Sequence, residues 1–212
     1  MGGTGGRVAA GCCLALWLYG TAWAASLYRV EPDSTTIGFS VSLMGLFGTG
    51  GRFTRFDGSL VLDLDHPEAS KVDVTVDTRS LSMPWPTAEE TAQSTDYFDV
   101  VKYPEMRFVS RRVIAIDATH ARIDGELTIR GTTRPQSFTA DLEGRRFDPG
   151  LNAEVADFVV RGTVDRRDFG MQADSSFVSN EVTIRIKSHI RLAEASPNPG
   201  WTARPEPGHG GA

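Results

Sequence analysis

The sequence predicts an all-β fold, a closed antiparallel β-barrel of about eight strands with a short helical insertion. Three observations predict it. Apolar and polar residues alternate with period two in segment after segment, the pattern of a sheet with one wet face. Turn-forming residues punctuate those segments. One stretch, Leu81 to Tyr103, breaks the alternation and carries helix signals instead.

The strands follow in order. Ile37, Phe39, Val41 and Leu43 face one way, and Gly38, Ser40 and Ser42 the other. The run GLFGTGG (45–51) lacks the strand–loop–helix setting of a phosphate loop and is expected to form a flexible hairpin or a lip of the barrel. Leu60, Leu62 and Leu64 alternate with Val61, Asp63 and Asp65, then Val72, Val74 and Val76 with Asp73, Thr75 and Asp77, across the turn His66-Pro67-Glu68-Ala69-Ser70. In the insertion, Thr87 and Glu90 read as a capping box for a helix from about Ala88 to Gln93. Ser94-Thr95-Asp96 caps a second turn, with Asp96 the expected cap, and Tyr103-Pro104 stops it. Met106, Phe108 and Ser110 begin the next strand. Ile123, Leu127 and Ile129, then Phe138, Ala140 and Leu142, then Phe158 and Val160, and last Val182, Ile184 and Ile186 mark the remaining ones. Asp57-Gly58, Asp124-Gly125 and Arg130-Gly131 place glycine at or beside bends or bulges, and Asp148-Pro149-Gly150 is a turn. Closure into a barrel removes the exposed edges that so many strands would otherwise leave.

The ends read differently. Arg7, the apolar run Val8 to Gly20 and the small-x-small triplet Ala22-Trp23-Ala24 form a signal peptide, residues 1–24, too short to span a bilayer. A lipoprotein reading would lipidate Cys12, but too few apolar residues precede it. Residues 25–195 form the single domain, and 196–212 a Pro/Gly-rich tail without apolar periodicity. Both cysteines, Cys12 and Cys13, fall in the signal, so the mature domain has no disulfide and no thiolate. Export without disulfides fits the bacterial periplasm.

A formal net charge of −5 and the acidic residues near each Arg-Arg pair speak against nucleic acid as a partner. His66, His120, His189 and His209 have no metal-ligand spacing, no nucleophile elbow occurs, and no cofactor is implied. His189 is expected to point outward opposite Ile190, and Asp168 to pair with Arg166 or Arg167.

Five blocks, in this order, carry a family resemblance: YRVEPDSTTIGFSV from Tyr28; FTRFDGSLVLDLDHPEASKVDVTVDTRSL with Phe53, Phe56 and Gly58; TDYFDVVKYPEMRFVS; IDGELTIRGTTRPQSFTA; and RRDFGM at Arg166 to Met171, followed by EVTIRIKSHI. Together they resemble the YceI-like family of periplasmic, lipocalin-like proteins. Two positions depart from the family pattern: Leu43-Met44-Gly45 stands where many members carry a histidine, and Pro86-Thr87-Ala88-Glu89 where an Arg-Asp pair commonly opens the insertion.

The resemblance implies an apolar tunnel for a polyisoprenoid such as a quinone or an isoprenyl phosphate, and a protein that is often dimeric. The expected lining is Phe39, Val41, Phe53, Phe108, Leu127, Ile129, Phe138, Val160 and Ile184, with Trp85 and Phe98 on the insertion as lid or lining. Arg52, Arg55, Arg166 and Arg167 are candidates for an anionic head group, with Arg167 taken as a site residue, and the Tyr97 hydroxyl for a quinone. A homodimer, transient membrane contact and a periplasmic carrier without catalytic turnover complete the expectation. Three alternatives remain at this point: a periplasmic stress-related structural protein with no lipid ligand, an enzyme using the barrel cavity, and an outer-membrane barrel with its apolar face turned outward.

Overall fold

The computed structural model describes residues 26–30, 33–64 and 66–191; the expected signal peptide, both cysteines and the expected tail lie outside the described residues. The strands are β1 (Ser26–Arg29), β2 (Thr35–Leu43), β3 (Phe47–Phe53), β4 (Phe56–Leu62), β5 (Lys71–Asp77), β6 (Leu81–Ser82), β7 (Glu105–Ala115), β8 (His120–Ile129), β9 (Thr132–Asp148), β10 (Ala153–Asp165) and β11 (Val178–Arg191), with one helix, α1 (Pro86–Gln93), between β6 and β7.

All pairings are antiparallel, and they close a ring. On one side of the β3–β4 ribbon, β2 lies beside β3 (Ile37 opposite Phe53) and β1 beside β4 (Ser26 opposite Leu62). On the other side, β5 lies beside β4 (Phe56 opposite Val76) and β6 beside β3 (Phe53 opposite Leu81). The pairs β1–β2, β3–β4 and β5–β6 are thus three long staves, each with a short break. With β7 to β11 they make eight, and β11 returns to β2 with Ile184 opposite Phe39. The predicted barrel of about eight strands is this curled sheet. Each stave lies beside its neighbours in sequence, so no connection has to cross the barrel, and only the β6–β7 insertion and the β10–β11 segment are long.

The breaks are held rather than loose. Thr54 N–H donates to the Ser80 carbonyl (3.1 Å) and Asp77 N–H to the Arg55 carbonyl (3.0 Å). The buried Ser80 hydroxyl donates to Asp77 O (2.6 Å) and accepts from Arg55 N–H (3.0 Å). Backbone groups that leave the ladder at the bend therefore find partners.

Because the staves alternate in direction, their connections sort to two ends. The β4–β5, β7–β8 and β9–β10 hairpins gather at one, here the hairpin end. The β2–β3 turn, the insertion, the β8–β9 turn and the β10–β11 segment gather at the other, the helical end. The β8–β9 turn is two residues long, with Arg130 (φ 50°) and Gly131 (φ 71°) both left-handed. That matches the twist of the strands that it joins.

Inward positions are apolar, and two of them are glycine for a steric reason. A Cβ on Gly125 would lie 2.6 Å from Phe108 Cζ, and one on Gly162 would lie 2.7 Å from Phe138 Cε1. Each ring therefore lies across a bare stretch of backbone, and the two rings meet edge to face at 5.0 Å. The outward face carries cross-strand ion pairs, among them Arg107–Asp73 (2.5 Å), Arg112–Asp124 (2.9 Å), Arg145–Glu154 (2.6 Å) and Arg161–Asp141. Apolar inside and charged outside is the reverse of a lipid-embedded barrel.

Local details differ from the sequence expectation. Gly58 lies within β4, where a side chain would strike the Asp73 carbonyl, and not at a bend. Most of the 45–51 run is strand β3; the turn is Met44, Gly45 and Leu46, the first two at positive φ. The Thr87–Glu90 capping box is replaced by Trp85 at the N-cap and Pro86 in the first turn, where its missing N–H is harmless. Glu89 instead accepts from Met83 N–H (3.0 Å), fastening the helix to the strand before it. In the following turn the Ser94 carbonyl, not the Asp96 side chain, accepts from Tyr97 N–H (3.1 Å) and Asp99 N–H (2.8 Å).

Candidate ligand-binding site

The inward faces do not meet. They enclose a bore of two chambers, about 250 Å³ toward the hairpin end and about 370 Å³ toward the helical end. Ile37, Met106, Ile129 and Ile184 border both, and so form the waist between them. Cavities of this size suit a small organic guest.

The hairpin-end chamber is walled mainly by strands, with the β4–β5 and β7–β8 connections at its mouth. Phe108, Leu127, Phe138 and Val160 line it as expected from their parity, with Ile129 and Ile184 at the waist. Leu60, Val72, Val74, Val76 and Phe158 add to the wall on the same parity. Asp63, Asp117, Thr119 and His120, from the β4–β5 and β7–β8 hairpins, border the opening, and Thr35, Arg107 and Ser188 reach the wall from strands. The Thr119 backbone N–H first, then the His120 ring, holds the Asp117 carboxyl down at about 2. His120 Nδ1 lies 2.8 Å from Asp117 Oδ1.

The helical-end chamber has a composite wall. Phe39, Val41 and Phe53 come from the barrel; Trp85, Tyr97 and Phe98 come from the insertion, with Ala88 and Ala92 of α1 beside them. Small residues on α1 let the helix sit close to the bore. Phe98 meets the Phe53 ring edge-on at 5.7 Å and the Phe39 ring at 6.3 Å, which seats the insertion on the barrel. Trp85 stands at the outer side and is largely exposed. Tyr97 donates its hydroxyl to Asp174 (3.0 Å); burial first, and then that carboxylate, push its pKa up.

Arg167 is the exception among the expected site residues. Its guanidinium turns away from the bore and grips Asp165 with two nitrogens, Nε at 3.0 Å and Nη2 at 2.6 Å. Arg166, one residue earlier, is the inward one: it is 2% exposed and lines the helical-end chamber. The Asp165–Arg167 pair also replaces the expected pairing of Asp168. Asp165 caps the 3-10 turn Arg166–Phe169 by accepting Arg167 N–H, and this single geometry throws Arg167 out and Arg166 in. Arg55 faces outward and pairs with Asp77 at 3.0 Å. His189 keeps its outward parity and meets Asp157 at 2.5 Å.

Sequence reasoning left out Ile37 and Met106 at the waist, although both share parity with residues that it selected, Phe39 and Phe108. It also left out Met83 and Met171, which reach the helical-end chamber from irregular segments where no period applies, and Val178, which lies at the start of β11 before a shift of register against β2. As a device, the bore offers apolar wall in both chambers and admits polarity at few points. That is the arrangement for holding an elongated amphiphile.

The comparisons with known proteins agree with this geometry. The YceI-like domain family matches residues 28–190. A UPF0312 protein of Pseudomonas putida strain W619 is 34% identical over 160 residues, which cover 74% of this chain and 82% of that one. Protein YceI of Escherichia coli O157:H7 is 31% identical over 169 residues, covering 79% and 87%. Among solved structures, BcnA of Burkholderia cenocepacia superposes with a TM-score of 0.68 at 19% identity, over 76% of this chain and 99% of that one. A polyisoprenoid binding domain from Saccharophagus degradans superposes with a TM-score of 0.54 at 11% identity, over 80% of this chain and all of that one. At such identities these last two show the fold alone. The family match over most of the chain and the two relatives above 30% identity establish that this chain belongs to the YceI-like domain family.

Proposed function

We propose that the protein is an exported periplasmic carrier that holds one amphiphile with a polyisoprenoid-like chain in its bore and performs no catalytic turnover. The observation that carries this reading is the pair of apolar chambers meeting at Ile37, Met106, Ile129 and Ile184. Two adjoining greasy chambers have no use in a barrel that serves only as a scaffold, because filling them with side chains would be more stable. Each ~100 Å² of guest surface taken from water contributes about 2.5 kcal/mol gross. Ordering of the guest offsets part of that, so exchange stays feasible. The domain that defines the S. degradans structure is named for polyisoprenoid binding, which supports the same ligand class here.

Loading from a bilayer is part of the proposal. On two neighbouring loops of the helical end, four large apolar side chains stand exposed: Met44 (63%), Leu46 (78%), Phe47 (66%) and Phe177 (61%). Met44 N–H donates to the Phe177 carbonyl (2.7 Å), so the two loops form one rim beside the chamber wall of Leu43 and Val178. A rim of this kind lets a lipid chain pass from membrane to bore without crossing water. A second copy seated on the same rim is the competing occupant, and sedimentation of the delipidated protein with and without vesicles separates the two.

The central experiment is mass spectrometry of the natively purified protein and of its organic extract. A stoichiometric lipid with an isoprenoid chain is the expected result. A bore that stays empty after purification, and refuses isoprenoid alcohols and quinones added to the delipidated protein, would overturn the carrier reading.

A further inference from the structure

The exposed apolar side chains are not spread over the barrel. Among the described residues the large ones fall at its two ends: the rim residues, Trp85 and Val101 at the helical end, and Ile116, Phe147 and Leu151 at the hairpin end. The flank between them is ion-paired, as Arg107–Asp73 and Arg112–Asp124 illustrate. Loading from a bilayer uses the first group and leaves the second without a role.

The second group sits on an arm. β8 accompanies β9 only as far as Asp141, which lies opposite His120. Among the described residues, Leu142 to Asp148 go on with no strand on that side, backed by β10 alone. At ~3.3 Å per residue this carries the β9–β10 turn roughly 20 Å past the β7–β8 turn. Phe147 (57% exposed) and Leu151 (42%) lie at the end of the arm, and Ile116 (61%) on the lower turn. The arm is braced. Arg191 donates to the Leu151 carbonyl (3.0 Å), and Asp148 Oδ1 accepts from Gly150 N–H (2.8 Å) and Leu151 N–H (3.1 Å). A lone apolar side chain on a surface needs no partner, but two at the tip of a braced arm, beside the mouth of the bore, are placed for contact.

The charges around the tip indicate what it meets. Arg145 pairs with Glu154 (2.6 Å), Arg146 with Asp157, and Asp148 is turned into its own turn. The arm therefore offers apolar surface and little uncommitted charge of either sign. An anionic surface or a charged protein patch would call for the opposite. A zwitterionic lipid surface takes apolar side chains into its headgroup boundary without asking for a counter-charge.

Building on the carrier reading, we infer that the hairpin end is a second docking end, whose arm inserts Phe147 and Leu151 into a zwitterionic lipid surface while the helical rim holds another. One molecule then bridges two lipid surfaces, with the bore between them. The dimensions call for two surfaces. β9 runs from Thr132 at the helical end to Asp148 at the tip. That is about 53 Å of strand, or roughly 40 Å along the axis at a lean of about 40°. Rim and tip held so far apart cannot rest on one flat bilayer unless the ion-paired flank lies against it. Leu142, at the base of the arm, also lines the hairpin-end chamber, so a guest at the mouth meets the arm first.

Vesicle bridging tests this. Phosphatidylcholine vesicles carrying donor or acceptor lipid dyes are mixed with the delipidated protein. Energy transfer between the two populations reports bridging, and flotation reports binding alone. The unaltered protein should bind and bridge, and should still bridge in about 1 M salt, where the screening length falls to ~3 Å. Phe147→Ser with Leu151→Ser should lower bridging at least about tenfold while flotation persists through the rim; covering only ~55 Å² of apolar surface is worth that factor. Leu46→Ser with Phe47→Ser should stop bridging from the other end, with flotation kept through the arm. All four side chains are exposed, so both variants should keep the thermal midpoint of the unaltered protein.

Undiminished bridging by the arm variant would mean that two copies joined away from the arm hold the vesicles, and would overturn the inference. Bridging that vanishes in salt would overturn it too. So would an arm variant that turns a dimer into a monomer in vesicle-free solution, because the arm would then be a protein contact. Flotation without bridging by the unaltered protein would leave a single docking end, overturning the inference and leaving the carrier reading standing. No flotation at all would overturn the loading step as well, and uptake of an isoprenoid alcohol added in solution would then decide the carrier reading separately.

Discussion

The two ends of the bore differ in how they are built. At the hairpin end the wall is strand on strand, each inward residue fixed by ladder register on both sides, and even its glycines are specified by neighbouring rings. At the helical end half the wall is added from outside the ladder: α1, the turn after it, and the Arg166–Val178 segment. The first arrangement favours a rigid, uniform apolar sleeve. The second allows features that a regular ladder cannot easily supply, namely a buried cation, an aromatic lid and an exposed apolar rim. Stability therefore belongs mainly to the first half and selectivity to the second.

That division is easiest to break with paired truncations. Phe138→Ala at the strand half removes a ring that is 6% exposed and packed edge-on against Phe108. A loss of about 3–5 kcal/mol is expected in denaturant titration. Phe98→Ala at the helical half removes a less buried ring from an appended segment and should cost visibly less, while altering guest affinity more. Equal costs would mean that the insertion is as structural as the sleeve. Phe108→Asp sharpens the same point: a carboxylate placed in the sleeve should abolish uptake of an isoprenoid alcohol, and normal uptake by the folded variant would remove Phe108 from the path.

A smaller effect is expected where a side chain is added instead. Gly162→Ala would drive a methyl group against the Phe138 ring, and strain of this kind costs about 1–3 kcal/mol. The same substitution at Gly170 (φ 78°), on the helical half, meets no atom within 4 Å, so its cost is backbone strain alone. At the waist, Met106→Trp should leave the binding of a short-chain guest intact and weaken a long-chain one, because only the latter must pass between the chambers. Indifference to chain length in titrations of the variant would mean that the chambers are filled separately.

The same contrast governs what the amino-acid sequence could tell. In the sleeve, burial on one face imposes period two, and a one-residue slip would turn every side chain outward. Phe108, Leu127, Phe138, Val160 and Ile184 are legible for that reason, and so is the number of staves; Phe39 and Val41 follow the same period where β2 runs on into the helical end. In the part of the helical-end wall that comes from outside the strands, nothing periodic operates. Arg166 and Arg167 are neighbours of the same type in a 3-10 turn, and which one enters the bore is decided by the Asp165 cap that holds Arg167 outside. Trp85 and Pro86 start α1 where Thr87 and Glu90 offered a better-known signal, because Glu89 is drawn back to Met83. Gly58 looks like a bend in the sequence and is a point of close strand approach in space.

The smallest predicted effect lies at the joint between the halves. Asp77 stands where two staves break, and its carboxylate is gripped by Arg79 from one break (2.9 Å) and Arg55 from the other (3.0 Å). Hydrogen bonding from Arg79 first, and then from Arg55, lowers its pKa from 3.8 to about 2. For an acid whose folded pKa is depressed, the stabilisation is fully present above the unfolded value and disappears as pH falls through the folded one. The clamp therefore contributes its full amount above about pH 4 and fades toward pH 2. Asp77→Asn keeps an acceptor for Arg79 N–H but loses the charge, so it isolates the electrostatic part. Its thermal midpoint should fall a little below that of the unaltered protein at pH 7, within the small range of exposed ion pairs, and the two should converge near pH 2. A gap that persists at pH 2 would locate the effect of Asp77 in backbone capping. A gap that closes would show that charge pairing ties the sleeve to the helical end, and that acid loosens the joint before it melts the barrel.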